Sequence, residues 1–411
     1  MRRVVVTGIG AVTPIGNDVK SFIDGLYTNK LAAGPITHFD ASDLNVTLTG
    51  DVRDFDPVVR LNKKDTKRMD LFSQYAVYSA LEAMADANFE EGVVAPERLG
   101  VMYGSGIGGL TTMTEQVVKM YTKGADRISP MFIPETIANM AAGNIAMRFK
   151  AKNTCQCIVT ACSSSTDALG QAFHHIQSGR ADMMISGGAE AVNNVMGVGG
   201  FTALTAITRA TDPAQASIPF DTKRSGFLLS EGSGTLVLED LEHALARGAK
   251  IYGEIVGYGS TCDAYHMTSP DPTGAGAANA MQIAIDDADI TPDQVGYINA
   301  HGTSTKANDV MEAIAINTVF GKDPDVLVSS TKSMTGHLLG AAGAIEAIAT
   351  LTALQKDKMP INVGVTEQDP DCQVNLVTEA NQNATVDYAI SNSFGFGGHD
   401  AVLAMKKWRG V

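Results

Sequence analysis

Short apolar runs alternate with longer stretches of helical spacing along the whole chain. Runs that read as strands are 3–7, 99–103, 158–161, 183–186, 236–238, 251–256, 295–300 and 326–329. Several are continuously apolar, as strands buried on both faces are. Between them, 71–87, 168–177, 274–288 and 341–354 repeat apolar residues at three- and four-residue intervals. Strand–helix alternation at this spacing predicts an α/β protein built in layers.

The pattern also hints at duplication. Residues 3–10 close on Thr7-Gly8-Ile9-Gly10, and 251–259 close on Val256-Gly257-Tyr258-Gly259. Each opens part of the chain with a strand and a glycine turn. A boundary near 250, after the charge-rich stretch 240–250, divides the chain into 1–250 and 251–411. No low-complexity linker separates them, so the halves are expected to pack as one body.

Composition narrows the class. The chain has 411 residues, long enough for two domains or one duplicated fold. Its balance of 45% hydrophobic and 18% charged residues is that of a folded globular protein. A formal charge of −14 gives it no electrostatic reason to coat nucleic acid or an anionic membrane. No apolar run reaches the ~18 residues that span a bilayer. The start, Met1-Arg2-Arg3-Val4-Val5-Val6-Thr7-Gly8, is too short in its apolar part for a signal peptide. Five cysteines, an odd number in a long chain, suggest a reducing cytoplasm and no disulfide framework.

One cysteine stands apart. In Ile158-Val159-Thr160-Ala161-Cys162-Ser163-Ser164-Ser165-Thr166-Asp167, a β-branched run stops at Cys162 and capping residues follow. Ala168, Leu169, Ala172, Phe173 and Ile176 then recur with helical spacing. Cys162 is therefore placed at a strand-to-helix turn. Helix-start N–H groups stabilise a thiolate and can hold an oxyanion, which suits acyl transfer. An inert buried thiol is the alternative. Cys155, Cys157, Cys262 and Cys372 lack this context and read as structural. No CxxC pair occurs, so no zinc site and no metal ligand set is assigned.

Further candidates lie in the second half. His301 follows the run 295–300 and opens Gly302-Thr303-Ser304-Thr305, where α/β sheets place ligands. His337 ends Lys332-Ser333-Met334-Thr335-Gly336-His337, and a small-residue helix with Glu346 follows. Ser391-Asn392-Ser393-Phe394-Gly395-Phe396-Gly397-Gly398-His399 reads as a hairpin loop that allows close backbone approach. The run 104–109 fits GxGxxG after a strand. A dinucleotide site also needs an acidic residue ending the next strand, and Asp126 lies in a polar stretch instead. Nucleotide binding is not expected.

Taken together, these segments resemble the elongating β-ketoacyl-acyl-carrier-protein synthases, the synthase II group of bacterial fatty acid synthesis. The resemblance spans the chain and rests on Val6-Thr7-Gly8, the Cys162 motif, Asn299 to Thr305, Lys332 to His337, and Asn392 to Gly398. It implies a thiolase-like fold with duplicated halves in five layers, α-β-α-β-α, in a homodimer. It implies that Cys162 carries the acyl chain while His301 and His337 act on malonyl-acyl carrier protein (ACP). The N–H groups of Cys162 and Phe396 would form the oxyanion hole, with Lys332 and Glu346 as a supporting charged pair. Thr268, Ser269, Thr303 and Thr305 would line the phosphopantetheine tunnel. Ile107 and Phe396 would gate the acyl pocket, whose depth depends on packing at Ile107, Phe132 and Phe201 and across the dimer interface. Lys64, Lys67 and Arg68 would meet the acidic ACP, with Lys123, Arg127 and Arg209 as further candidates. No cofactor is implied, and a monovalent cation near Asn299, Ser391 and Asn392 is left open.

Competing readings are a polyketide ketosynthase, a degradative thiolase and a non-catalytic ACP-binding partner. A thiolase would need a second cysteine near the C-terminus, where Phe394 and Phe396 stand. The partner would lack Cys162. Two departures from the family pattern are Lys306, where proline is common, and His399-Asp400 after the glycines.

Overall fold

The computed structural model describes residues 1–322 and 325–410. Its strands, in chain order, are β1 (Val4–Val12), β2 (Gly34–Pro35), β3 (Leu48–Thr49), β4 (Leu99–Gly104), β5 (Cys155–Ile158), β6 (Met183–Glu190) and β7 (Gly232–Asp240). Then follow β8 (Gly253–Cys262), β9 (Val295–Asn299), β10 (Leu327–Ser329), β11 (Asn375–Leu376), β12 (Tyr388–Gly395) and β13 (His399–Lys407). Apart from the small β2–β3 pair, they form a single ladder in the order β11-β10-β9-β12-β13-β8-β1-β7-β6-β4-β5.

That order is the same five-strand pattern used twice. From edge to centre, β5-β4-β6-β7-β1 runs parallel, parallel, antiparallel, antiparallel. The set β10-β9-β12-β13-β8 repeats those four relations. The two sets form the two sheet layers expected of duplicated halves packed as one body. Here β1 and β8 join them through three residue pairs, Val4 with Ile255, Val5 with Glu254 and Val6 with Gly253.

Helices fill three layers around these sets. Leu71–Asp86 and Met140–Phe149 cover the first set on the outside, and Ala275–Asp287 with Lys306–Phe320 cover the second. Ser164–Gln177 and Ala342–Lys356 lie between the sets and touch strands of both. From Ala342 to Leu354 every residue is buried, as a helix without a wet face must be. Small residues make this layer thin. A Cβ at Gly170 would sit 2.2 Å from the Tyr258 ring of β8, so only glycine lets helix and strand approach this closely.

One boundary differs from the sequence reading. The strand expected over 158–161 is instead β5, Cys155–Ile158. Val159 and Thr160 have the branching that favours strands, but Ala161 turns to φ +52° and ends the ladder. The helix expected from 168 begins at Ser164.

Candidate active site

Cys162 lies in the single turn Ala161–Ser163 that feeds the central helix Ser164–Gln177. The turn is tied internally. Ser164 Oγ donates to Ala161 O at 2.6 Å and accepts from Thr160 N at 3.0 Å. Ala161 in left-handed backbone costs roughly 1–3 kcal/mol, and these bonds hold it there. The thiol is buried, and the backbone N–H of Phe396 donates to it across the β12–β13 turn. Burial pushes the thiol up to about 12, against the opposing pull of Lys332 and the Phe396 N–H. The helix start alone suggested a thiolate; desolvation outweighs it, and the resting group is a neutral thiol.

Both imidazoles meet the same cavity. His301 follows β9, and its backbone N–H and that of Gly302 donate to the two oxygens of buried Glu312 at 2.8 and 2.7 Å. His337 is pinned by a bridge to the segment before β7: its N–H donates to Leu228 O at 2.8 Å, and Ser230 N donates to its carbonyl at 3.0 Å. The rings stand 5.2 Å apart at 85°. Phe394 lies 5.6 Å from His301 and Phe227 lies 5.3 Å from His337, walling both with aromatic surface. Burial first, then the Lys332 charge, holds both imidazoles well below their ordinary range, so they are neutral.

Their tautomers follow from the partners. The Lys332 ammonium has protons only to give, and it stands 3.3 Å from His301 Nδ1. Leu339 N donates to His337 Nδ1 at 3.3 Å. Each ring therefore accepts at Nδ1 and carries its proton on Nε2. Lys332 is fully buried and pairs with Glu346, also buried.

The cavity has a volume of about 580 Å³. Cys162, His301, His337, Thr268, Ser269, Thr303, Thr305, Ile107, Phe201 and Phe396 line it. Lys332 and Glu346 lie behind the histidines, outside its lining. Phe201 packs 5.5 Å from Phe227 and 6.5 Å from Phe396. Phe132, expected to set pocket depth, opens the helix Phe132–Thr136 and is not part of this wall. Lys306 lines the cavity and takes the first helical position after the cap Thr305. A proline suits that position because its N–H has no helical partner; lysine occupies it without losing a bond.

Lys64, Lys67 and Arg68 lie apart from the cavity lining, exposed around the short helix Lys63–Thr66. Cys372 is buried, but Cys155 and Cys262 are exposed and Cys157 is half-buried. Cys155 and Cys157 lie on the edge strand β5, and none of the four lines the cavity.

The GxGxxG run now has a physical explanation. Buried Glu190 accepts from Gly106 N at 2.7 Å, Ile107 N at 3.2 Å and Gly340 N at 3.1 Å, and from Ser105 Oγ at 3.2 Å. An internal carboxylate thus occupies the amide nest that a phosphate would need. Its position is tight: a Cβ at Gly340 would lie 2.4 Å from Gly106 N. Glu190, Glu312 and Phe227 escaped the sequence reading, and Phe394 figures there only as part of its glycine loop, not as a wall for His301. Their partners are backbone amides and rings from distant segments, which leave no local pattern.

Two groups bear on metal binding. Ser391 Oγ, Asn392 Oδ1 and Glu346 Oε2 are buried without a partner. Asn299, whose Nδ2 donates to Glu346 O, pairs with Ser391 across β9 and β12. Uncharged oxygens with one carboxylate are hard donors of the kind that hold hard cations. His38, Asp51 and Glu231 also gather ligand-type atoms. There Thr37, Thr49 and Asn193 donate to Asp51, and Val52 N and Tyr75 donate to Glu231. His38 completes that network at 2.7 Å from Glu231 as an internal partner.

Comparison with known proteins places this arrangement. Residues 1–244 match the family described as Beta-ketoacyl synthase, N-terminal domain, and residues 252–366 match its C-terminal domain. The chain belongs to the β-ketoacyl synthase family. It is 48% identical over 99% of both chains to a 3-oxoacyl-[acyl-carrier-protein] synthase 2 of Synechocystis. A protein of the same name from Staphylococcus aureus is 45% identical, again over 99% of both. Among solved structures, a β-ketoacyl synthase from Burkholderia phymatum aligns with a TM-score of 0.92 at 34% identity over 100% of both chains. A type II polyketide ketosynthase in complex with its acyl-carrier protein aligns with a TM-score of 0.91 at 33% identity, covering 99% of this chain and 100% of that one. The thiolase-like ketosynthase fold, with its duplicated sheet and central helices, is thereby established.

Proposed function

We propose that this protein is an elongating β-ketoacyl-ACP synthase that adds two carbons to an acyl chain held on Cys162. One arrangement carries the reading: a buried thiol and two neutral imidazoles, each with Nδ1 engaged and Nε2–H free, at one cavity.

The chemistry follows from those groups. Acyl-ACP enters along Thr268, Ser269, Thr303 and Thr305, and the Cys162 sulfur attacks its thioester carbon. The carbonyl oxygen takes up negative charge and is held by the N–H groups of Cys162 and Phe396. The phosphopantetheine thiol leaves with the proton that Cys162 gives up. Malonyl-ACP then binds, its thioester oxygen facing His301 and His337. Loss of CO₂ places charge on that oxygen, and the two Nε2–H donors stabilise the enolate. Neutral rings serve here because each must donate without giving its proton away. The enolate carbon attacks the Cys162 thioester, the C–S bond breaks, 3-oxoacyl-ACP leaves, and the Cys162 thiolate takes up a proton from solvent to return to the resting thiol. Lys332, held by Glu346, keeps His301 in its donating tautomer. A cation held by Asn299, Glu346, Ser391 and Asn392 would satisfy the buried oxygens of Ser391, Asn392 and Glu346 that have no partner.

Fatty acid elongation is favoured over a polyketide pathway by identity, 48% against 33%. The non-catalytic reading is disfavoured by Cys162 itself. ACP docking is assigned to Lys64, Lys67 and Arg68. The homodimer is supported by exposed Met113, Val117, Val118 and Tyr121 on the helix Leu110–Lys123 and by the open edge of β5. The two halves divide near 250. Among the described residues, no helix is long and apolar enough to cross a membrane. A cytoplasmic setting is supported by five unpaired cysteines.

The test is the intact mass after incubation with acyl-ACP, beside a Cys162→Ala control. A gain of one acyl group, absent in the control, is expected. No gain with acyl-ACP or acyl-CoA on either protein would overturn the covalent mechanism.

A further inference from the structure

Asp400 stands on β13 opposite Phe394, the residue that walls His301. Its carboxyl is buried and shares a hydrogen bond with that of Asp263, in the loop after β8. Both reach over Gly276 of the neighbouring helix: a Cβ there would lie 2.2 Å from Asp263 Oδ1 and 2.5 Å from Asp400 Oδ2. Two carboxyls packed against each other need one proton between them.

The loops they join are the ones that close the cavity. Gly397 N donates to Met267 O at 2.8 Å, and Asp263 N donates to Gly398 O at 2.8 Å. Asp263 Oδ2 accepts from Asp271 N at 2.9 Å, which closes the loop bearing Thr268 and Ser269 on itself. The 395–398 turn carries the Phe396 N–H that touches Cys162. An asparagine at 400 could donate to Asp263 at any pH; an aspartate donates only while protonated.

We propose that Asp400 is a proton-dependent latch, which holds the 395–398 turn against the 263–271 loop when protonated and frees it when ionised, so that pH sets access to Cys162. Other charged groups do not remove the repulsion. Asp167 of the central helix adds negative charge and receives the Tyr258 hydroxyl, while Thr261 only donates weakly, at 3.5 Å. His399 adjoins Asp400 in sequence. Lys306 and Arg224 line the same cavity, and Arg224 is committed to Asp309 and Asp369.

The sign follows from linkage. Burial, then the Asp263 charge, raises Asp400 to about 8 in the closed loop, whereas a hydrated aspartate in the open loop titrates near 4. The open state therefore binds fewer protons between those values. Opening rises by up to about ten-fold per pH unit from about 4 to about 8 and levels off above.

The latch is tested by hydrogen exchange at the Gly397 and Asp263 amides of the full chain, corrected for intrinsic rates, from pH 5 to 9. Wild type should open increasingly up to pH 8, Asp263→Asn should keep a weaker dependence from burial alone, and Asp400→Asn should stay flat. Parallel pH dependence in all three would overturn the latch. The access arm rests on the condensing-enzyme reading. The ratio of Cys162 acylation rates, wild type over Asp400→Asn, should climb across the same range and cancels the thiol's own titration. A ratio constant with pH would overturn control of access. The exchange pattern without acylation at any pH would uphold the latch and sink the enzymatic reading instead.

Discussion

Lys332 Nζ stands 3.3 Å from His301 Nδ1 and spends its remaining charge on Glu346. A buried ion pair thus determines which nitrogen of a neutral histidine carries the proton. Lys332→Met should allow the other tautomer and lower malonyl-ACP decarboxylation by about 10²–10³-fold, the usual loss for one oxyanion donor. It should also destabilise the fold by about 3–5 kcal/mol, because Glu346 is left charged and unpaired. Lys332→Met with Glu346→Gln should recover stability and not decarboxylation. Recovery of both would show that the pair serves only the fold.

The same histidines make stability depend on pH. Both are neutral when folded, whereas the unfolded chain protonates them near pH 6.5. Below that value the unfolded state binds more protons. Unfolding free energy should fall with pH by up to about 1.4 kcal/mol per unit for each imidazole. Urea titrations at pH 5, 6, 7 and 8 should show a shallower decline for His301→Gln with His337→Gln than for wild type. Equal declines would mean that neither ring is kept neutral by the fold.

Glu190 fills an amide nest beside the nucleophile. Glu190→Ala would strand three backbone N–H groups, at about 1–3 kcal/mol for each group left unsatisfied. The expected result is a lower melting temperature and loss of acylation, since the loop bearing Ile107 hangs from that carboxylate. Glu190→Gln, which keeps one acceptor oxygen, should fall between. A fully active, fully stable alanine variant would refute the assignment.

The basic patch should act on encounter and leave the chemistry alone. Reversing Lys64, Lys67 and Arg68 to Glu is expected to raise KM for acyl-ACP at least ten-fold with kcat nearly unchanged, an effect that shrinks as salt is raised. Steady-state kinetics at low and high ionic strength decide it. A fall in kcat with KM unmoved would place those residues in something other than docking.

Much of this protein can be read from local order. Cys162 is visible because a β-branched run, a capping cluster and a helical repeat meet at one point. His301 and His337 are visible because each sits in a glycine-flanked segment beside a short apolar run. The alternation that predicts α/β layers is equally local, since side-chain periods of two and 3.6 are written into consecutive residues. Where sequence reading slipped, backbone geometry had overruled propensity, as at Val159 and Thr160 before the positive φ of Ala161.

Local pattern settles which residue types are present and which elements carry them: the thiol at a helix start, imidazoles beyond strand ends, a glycine hairpin. Only the tertiary structure decides their states. Burial turns the Cys162 thiolate suggested by a helix start into a resting thiol. Lys332, thirty-one positions from His301, selects a tautomer, and Glu190 fills the amide nest of the GxGxxG run. Asp263 and Asp400 become one acid pair because two loops close over Gly276. Protonation depends on what lies within a few ångströms and how little water is left there, and those neighbours come from segments far apart along the chain.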